Sequence, residues 1–348
     1  MVYTIIGGSH MSEEEVIKLL CEGKISYNEL MYILNMDYDG INNWLHNLKQ
    51  NRLNVYKKYY SDGSTRFYTP NYIDYEGDST SIITRPDENT LSTLIISDLH
   101  LGCTIERLDL LYKTFEYAKE RRIHIILGCG DLLDGDKTRS AAKSTIPDIY
   151  EQIEYIIKNY PQDKSILTFA VLGNHEGHAI KENSVDIAKM INDARNNLII
   201  SDTPSFCINI KNDTIKLKHK LEPPTSEKIN IFGHTHLSMT TLTTNVNTSH
   251  LIGNARIFDK NLMVKCPSLS NGNQGVPAIM EMKLYFSDGY IYKVLIKEMG
   301  FVGRSNELVQ LSKSDCEIFI PDREESIINN VENYPKENKT KKLIIKKY

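Results

Sequence analysis

The chain has 348 residues, 41% of them hydrophobic and 25% charged, with a formal net charge of −4. That length suits about two domains and the apolar content allows real cores, while the mildly acidic balance excludes a global electrostatic pull toward nucleic acid and leaves only local patches for such binding. The six cysteines are scattered without a C-x-x-C pair, which argues against a disulfide framework and for reduced thiols in a cytoplasmic protein; residues 1–10 lack the regions of a signal peptide, and no run approaches the ~18 apolar residues of a membrane span, so no membrane partner is expected.

In chain order, Ser12-Glu13-Glu14-Glu15 reads as a capping box, with Val16, Ile17, Leu19 and Leu20 as the apolar stripe behind it and Gly23 as its stop. Ser26 and Glu29 repeat the cap before Leu30, Ile33 and Leu34. A third helix is predicted over about 39–50, where Ile41, Trp44, Leu45 and Leu48 recur at helical spacing. Two β-rich runs, 53–60 and 65–69, flank Ser61-Asp62-Gly63-Ser64, a hairpin signal. Three helices and a hairpin over residues 1–75 resemble a winged helix-turn-helix. In that arrangement the third helix faces a DNA major groove. Its non-apolar positions Asn42, Asn43, His46, Asn47, Lys49 and Gln50 suit base edges and phosphates, and the hairpin adds Arg52, Lys57, Lys58 and Arg66. A module for protein contacts, including a homo-oligomer, is the alternative for the same pattern.

Residues 70–90 are rich in Asp, Ser, Thr, Pro and Asn, and 76–90 read as a linker. From 91 to 300, apolar runs at 94–96, 123–127 and 169–172 alternate with helical patterns at 105–122, 147–159 and 184–196. A β-rich half follows, at 205–210, 214–218, 229–232, 239–244, 262–265, 279–286 and 290–297, the last two joined by Ser287-Asp288-Gly289. This order predicts an α/β fold, a two-sheet β-sandwich flanked by helices, with the small N-terminal winged-helix-like domain in front. Residues 301–348 read as a C-terminal extension whose lysine-rich end, 336–348, is expected to be solvated, with a late edge strand or a phosphate-backbone contact as the alternatives.

Several of the apolar runs end in residues able to hold divalent metals. They are Asp98-Leu99-His100, Gly130-Asp131-Leu132-Leu133-Asp134, Gly173-Asn174-His175-Glu176, a lone His219, and Gly233-His234-Thr235-His236. Ligands at strand ends converge at one edge of a sheet, and buried Asp and His are costly there unless partnered. Any one motif is weak; all of them in this order are specific. Over residues 91–297 they resemble the calcineurin-like metallophosphoesterase superfamily, with its D-x-H, G-D-x-x-D, G-N-H-D/E, H and G-H-x-H segments. The resemblance implies two divalent metal ions. One would take Asp98, His100, Asp131 and His236, the other Asp131, Asn174, His219 and His234, with Asp131 shared. A mixed oxygen and nitrogen set without cysteine favours Mn, with Fe or Zn also suited. The implied chemistry is phosphate-ester hydrolysis by a water held between the metals. His175 would protonate the leaving oxygen or stabilise the transition state, and Asp134 would orient it. Glu176 reads as a cap of the following helix.

Two positions depart from the family pattern. His219 is followed by Lys220 where the family usually has Gly; spacing to Gly233 and the strand-like 214–218 favour it over His178 and His250. Gly135 stands where protein phosphatases of the superfamily carry Arg, which counts against a phosphoprotein substrate. The insert after it holds Lys137, Arg139 and Lys143, charges that could guide a nucleic-acid backbone or a nucleotide, or simply be solvated. The expected function is a phosphodiesterase or nuclease acting on DNA. The alternatives are a phosphoesterase for a small or cyclic nucleotide and a DNA-binding regulator without turnover, which the intact ligand set and His175 argue against.

Overall fold

The computed structural model describes residues 2–4, 10–21, 25–50, 56–68, 79–135, 144–221, 227–252, 255–271 and 275–318. At the N-terminus, β1 (Val2–Thr4) and β2 (His10–Ser12) pair antiparallel, followed by α1 (Glu13–Cys21), α2 (Tyr27–Leu34) and α3 (Tyr38–Gln50). Both capping boxes form. Glu15 N donates to Ser12 Oγ at 3.3 Å while Ser12 N donates to Glu15 Oε2 at 2.8 Å, and Ser26 and Glu29 exchange the same pair at 3.3 and 2.7 Å. The apolar stripes of the three helices close on one core that includes Val16, Leu20, Leu30, Ile41 and Trp44. Gly23, expected as the stop of α1, lies outside the described residues.

The hairpin of β3 (Tyr56–Tyr60) and β4 (Thr65–Tyr68) forms where expected but does not stand apart as a wing. Its first strand pairs in parallel with β5 (Ser79–Ile83), through Tyr59 opposite Ile82 and Tyr60 opposite Ile83. Thus the segment expected as a linker contains a sheet strand. Its polar residues Ser79, Thr80 and Ser81 hide a β-branched run whose Ile82 is buried. The hairpin serves two cores: Tyr59 packs edge-on against Phe169 at 5.1 Å, and Phe67 enters the helical core.

The chain continues through β6 (Thr90–Ile96), α4 (Leu108–Arg121), β7 (Ile125–Cys129), α5 (Ile149–Asn159), β8 (Leu167–Val171), α6 (Asn174–Asn183), α7 (Ile187–Ala194) and β9 (Leu198–Ile200). After these come β10 (Ser205–Ile210), β11 (Asp213–Lys218), β12 (Ile229–Phe232), β13 (Met239–Ile252), β14 (Ala255–Lys265), β15 (Ala278–Ser287), β16 (Tyr290–Val302) and β17 (Glu307–Glu317). Two large sheets result, ordered β13-β14-β12-β11-β10-β5-β3-β4 and β17-β16-β15-β6-β7-β8-β9. Every residue of β7 and β8 is buried, as parallel strands covered on both faces require, while β10 and β11 alternate buried and half-buried positions. Ile95, Leu127, Phe169, Ile208, Leu217 and Ile231 fill the space between the sheets. On the outer face of the seven-stranded sheet, Leu94, Ile96 and Ile126 meet Phe115 of α4, Ile153 of α5 and Ile191 of α7. Burying each such side chain contributes about 1.5–3 kcal/mol. β17 shows that the sheet reaches past residue 300 into the expected C-terminal extension; the lysine-rich 336–348 lies outside the described residues. Among the described residues, no helix is long and apolar enough to cross a membrane.

β6 to β9 run parallel, so their C-terminal ends share one edge. The N-terminal module docks at the opposite edge. Gly63, at the hairpin turn with φ +77°, lies so close to the segment before β8 that a Cβ there would be 2.0 Å from Ser165 O. Asn196, two residues before β9, donates from its backbone to Tyr38 Oη and from its side chain to Asn42 Oδ1, and accepts from Lys57 Nζ.

Candidate metal centre

The site is built on strained backbone. Five of the seven expected ligands — Asp98 (φ 53°), His100 (46°), Asp131 (51°), His234 (69°) and His236 (56°) — adopt the left-handed region. Non-glycine residues there are uncommon and cost of order 1–3 kcal/mol each unless the surroundings fix them. The loops after β6 and β7 fix one another: Asp98 N donates to Gly130 O at 3.0 Å, Leu99 N and His100 N to Asp131 O at 2.8 and 3.0 Å, and Leu101 N to Leu132 O at 2.8 Å. Glu176 ties in the loop after β8. Its buried carboxylate accepts from Gly173 N at 2.6 Å, the capping contact the sequence predicts, and also from Leu133 N at 2.9 Å. Gly173 permits this approach, since a Cβ there would be 2.0 Å from Asp131 Oδ1.

The side chains converge on Asp131. Its Oδ2 is 3.1 Å from His219 Nε2 and 4.0 Å from both His100 Nε2 and His175 Nε2. His219 Nε2 lies 2.9 Å from Asn174 Oδ1 and 3.2 Å from His234 Nδ1, while His219 Nδ1 meets Cys129 O at 2.7 Å. A backbone carbonyl on one ring nitrogen sets the tautomer and aims the other nitrogen into the cluster. On the far side, Asp98 Oδ1 is 3.3 Å from His236 Nε2, and Asp98 Oδ2 accepts from Ser97 Oγ at 2.6 Å and His234 N at 3.1 Å. Among the described residues, three sets offer ligand atoms within 4.8 Å of one another: Asp98, His100 and His236; His100, Asp131 and His175; Asp131, His219 and His234.

The donor set fits a divalent metal. Both ring nitrogens of buried His100 lack a hydrogen-bond partner, a costly state for an imidazole, and a coordinated cation would satisfy the one that carries the lone pair. Burial holds His100 down at about 4 against the pull of Asp131, so its lone pair is available at neutral pH. For His219, burial also opposes the charged form, but the hydrogen bond and charge of Asp131 prevail and raise it to about 9. Asp131 in turn is held below the usual carboxylate range: burial acts against this, and His219, His100 and His175 outweigh it. A trough that draws a proton onto an imidazole draws a dication more strongly, with release of that proton.

His175 is half-buried beside this cluster, with its backbone N donating to Asp131 Oδ1 at 3.1 Å. The sequence reading assigns its orientation to the Asp134 carboxylate. The structure puts the Asp134 backbone carbonyl 2.5 Å from His175 Nδ1, while the carboxylate oxygen is 3.8 Å from both His175 Nδ1 and His100 Nδ1. Gly135, with φ +72°, sits under His175; a Cβ there would be 2.4 Å from His175 O, so this backbone has no room for an arginine.

The expected nucleic-acid residues divide. Asn42 and Lys57 are engaged by Asn196 of the large domain and do not present a free face. Asn43, His46, Asn47, Lys58 and Arg66 are exposed, with the Arg66 guanidinium 5.2 Å over the Tyr60 ring. The Lys49 side chain, Arg52, and the insert carrying Lys137, Arg139 and Lys143 lie outside the described residues. The second contact of Glu176, to Leu133, has no sequence signal beyond the cap, because it joins residues 43 positions apart.

Residues 91–250 match the family model of the calcineurin-like phosphoesterases, and that segment contains every candidate ligand from Asp98 to His236. No curated protein matches the chain. Similar solved structures include a nuclease MPE of Pseudomonas putida, at 14% identity and TM-score 0.32, covering 63% of this chain and 87% of that one. Vps29 of Chaetomium thermophilum is 10% identical with TM-score 0.36, over 67% and 98% of the two chains. The calcineurin-like phosphoesterase YfkN of Bacillus subtilis is 11% identical with TM-score 0.30, over 70% and 96%.

Proposed function

We propose that this protein is a metal-dependent phosphoesterase that hydrolyses phosphodiesters of nucleic acid, DNA first among them. The observation that carries the reading is Asp131, grouped with His100 on one side and with His219 and His234 on the other, at the C-terminal ends of parallel strands. Asp98, His100, Asp131 and His236 would hold one divalent metal, and Asp131, Asn174, His219 and His234 a second. Oxygen and imidazole donors without thiolate favour Mn, with Fe and Zn compatible. Bound there, the metals supply neutralisation of phosphate oxygens and a water acidic enough to attack near neutral pH. His175 donates a proton to the leaving oxygen through Nε2; its Nδ1–H is fixed on the Asp134 carbonyl. Gly135 leaves no arginine clamp for a phosphomonoester dianion, which favours a diester. The exposed Asn43, His46, Asn47, Lys58 and Arg66 suit a DNA surface.

A second reading, a phosphoesterase for small or cyclic nucleotides whose N-terminal module serves assembly, draws on the docking of that module at the edge opposite the metals. A turnover screen with Mn separates the two. The substrates are bis-p-nitrophenyl phosphate, p-nitrophenyl phosphate, cyclic nucleotides, and single- and double-stranded DNA. Metal-dependent cleavage of the diester and of DNA, with the monoester poor, is the expected result. Turnover of cyclic nucleotides alone would replace the first reading by the second, and no turnover with any metal would leave a binding regulator.

A further inference from the structure

α5 presents one side chain to the site that belongs to none of the metal motifs. Gln152 is 1% exposed, in the first turns of the helix, whose start is fixed by Asp148 accepting from Tyr150 N and Glu151 N at 2.8 and 3.1 Å. Its amide grips one residue from both sides: Gly135 N donates to Gln152 Oε1 at 3.0 Å, and Gln152 Nε2 donates to Gly135 O at 3.1 Å. The second Nε2 hydrogen goes to Ile146 O at 2.8 Å. Gln152 thereby closes the two described ends, Gly135 and residues 144–146, of one connection. Gly135 is the residue after Asp134, whose carbonyl holds His175 Nδ1, and it lies directly beneath the His175 carbonyl. One turn on, Tyr155 of the same helix donates to Glu106 Oε1 at 2.9 Å, and Glu106 Oε2 accepts from Gly102 N at 2.7 Å, just after His100. One helix face therefore holds both loops.

We infer that Gln152 is a positioning residue for His175: it sets the Asp134–Gly135 backbone and so the carbonyl that aims the imidazole. The inference rests on the reading of His175 as proton donor. Only a primary amide offers an acceptor and two donors at these three points. Partners that orient a metal ligand typically matter by about 10- to 100-fold in activity, and the same order is expected for one that orients His175. The loss should fall on the step His175 performs, and so on poor leaving groups.

The test uses the full chain with Mn, and two esters of thymidine 5′-phosphate, p-nitrophenyl and phenyl. Gln152→Met keeps the volume without the hydrogen bonds. Gln152→Glu keeps the shape and an acceptor for Gly135 N without the donors, and serves if the first variant does not fold. Both variants should retain two metals per chain and an unchanged KM. They should lose about 10- to 100-fold in kcat on the phenyl ester and much less on the p-nitrophenyl ester. In the His175→Ala background, the Gln152 substitution should cost nothing more. Equal losses on both esters, or losses that multiply with His175→Ala, overturn the inference while leaving His175 in place. If His175→Ala itself falls equally on both esters, the proton-donor reading fails and this inference with it.

Discussion

Two dications a few ångströms apart repel unless an anion stands between them, and Asp131 is the carboxylate within reach of His100, His175 and His219 together. Asp131→Asn is therefore expected to lose metal and activity together; elemental analysis showing two metals per chain in that mutant would refute the shared-ligand assignment. His175→Ala should instead keep both metals and lose on the order of 10²–10⁴ in rate on unactivated diesters. Glu176→Ala strands two amides, the buried Leu133 N, at about 1–3 kcal/mol, and the half-buried Gly173 N, at less. Its melting temperature should drop and its metal affinity weaken, which a melt and a titration followed on one preparation would show. That Asp98, His100, Asp131, His219, His234 and His236 come together was legible because Asp and His at the ends of apolar runs have few other uses. The left-handed backbone under Asp98, His100, Asp131, His234 and His236 was not, since residue type seldom encodes φ. Nor was the exchange of Asp134's carboxylate for its carbonyl, which depends on where one ring comes to rest.

At the scale of elements, legibility followed locality. α1, α2 and α3 were readable from caps and stripes lying within a few residues. β5 was not, because Ser79, Thr80 and Ser81 become a strand only beside β3 and β10. The same non-local pairing makes the hairpin structural. Gly63→Ala should destabilise the whole protein, since the residue has φ +77° and a Cβ would strike Ser165 O; the conformational term alone is about 1–2 kcal/mol. Tyr59→Ala removes a ring from between the sheets, beside Phe169, and should cost on the order of 3 kcal/mol. Chemical denaturation followed by tryptophan fluorescence tests both, because Trp44 lies in the helical core. An N-terminal module melting separately, with the sandwich unaffected by Tyr59→Ala, would contradict the shared hairpin. By the same reasoning a truncation beginning at Leu91 removes β3, β4 and β5 from the sheet, and is expected to be insoluble.

Across the whole molecule the loops carrying the candidate ligands and the N-terminal module occupy opposite ends of the parallel strands. The five residues of β8 alone span roughly 16 Å, and residues 165 to 174, from the hairpin contact to Asn174, cover up to roughly 30 Å of extended chain. A module in that place stands away from the candidate ligands. It can hold a nucleic acid only at a distance, so a substrate touching both ends needs on the order of ten base pairs at 3.4 Å each. Lys57 is committed to Asn196, and among the described residues of the hairpin Lys58 and Arg66 are the exposed cations chosen for the test. Replacing both by Ser should lower the salt slope of binding to a long duplex by roughly one to two units, about one for each phosphate no longer neutralised. Cleavage of long DNA should weaken through KM. Cleavage of a hexanucleotide, and of bis-p-nitrophenyl phosphate, should match the parent at every salt concentration. An equal loss on the hexanucleotide would mean that the module reaches the metal site after all. No loss on any length would remove nucleic acid from the module, leave it as a brace for the sandwich, and make a small nucleotide the leading substrate.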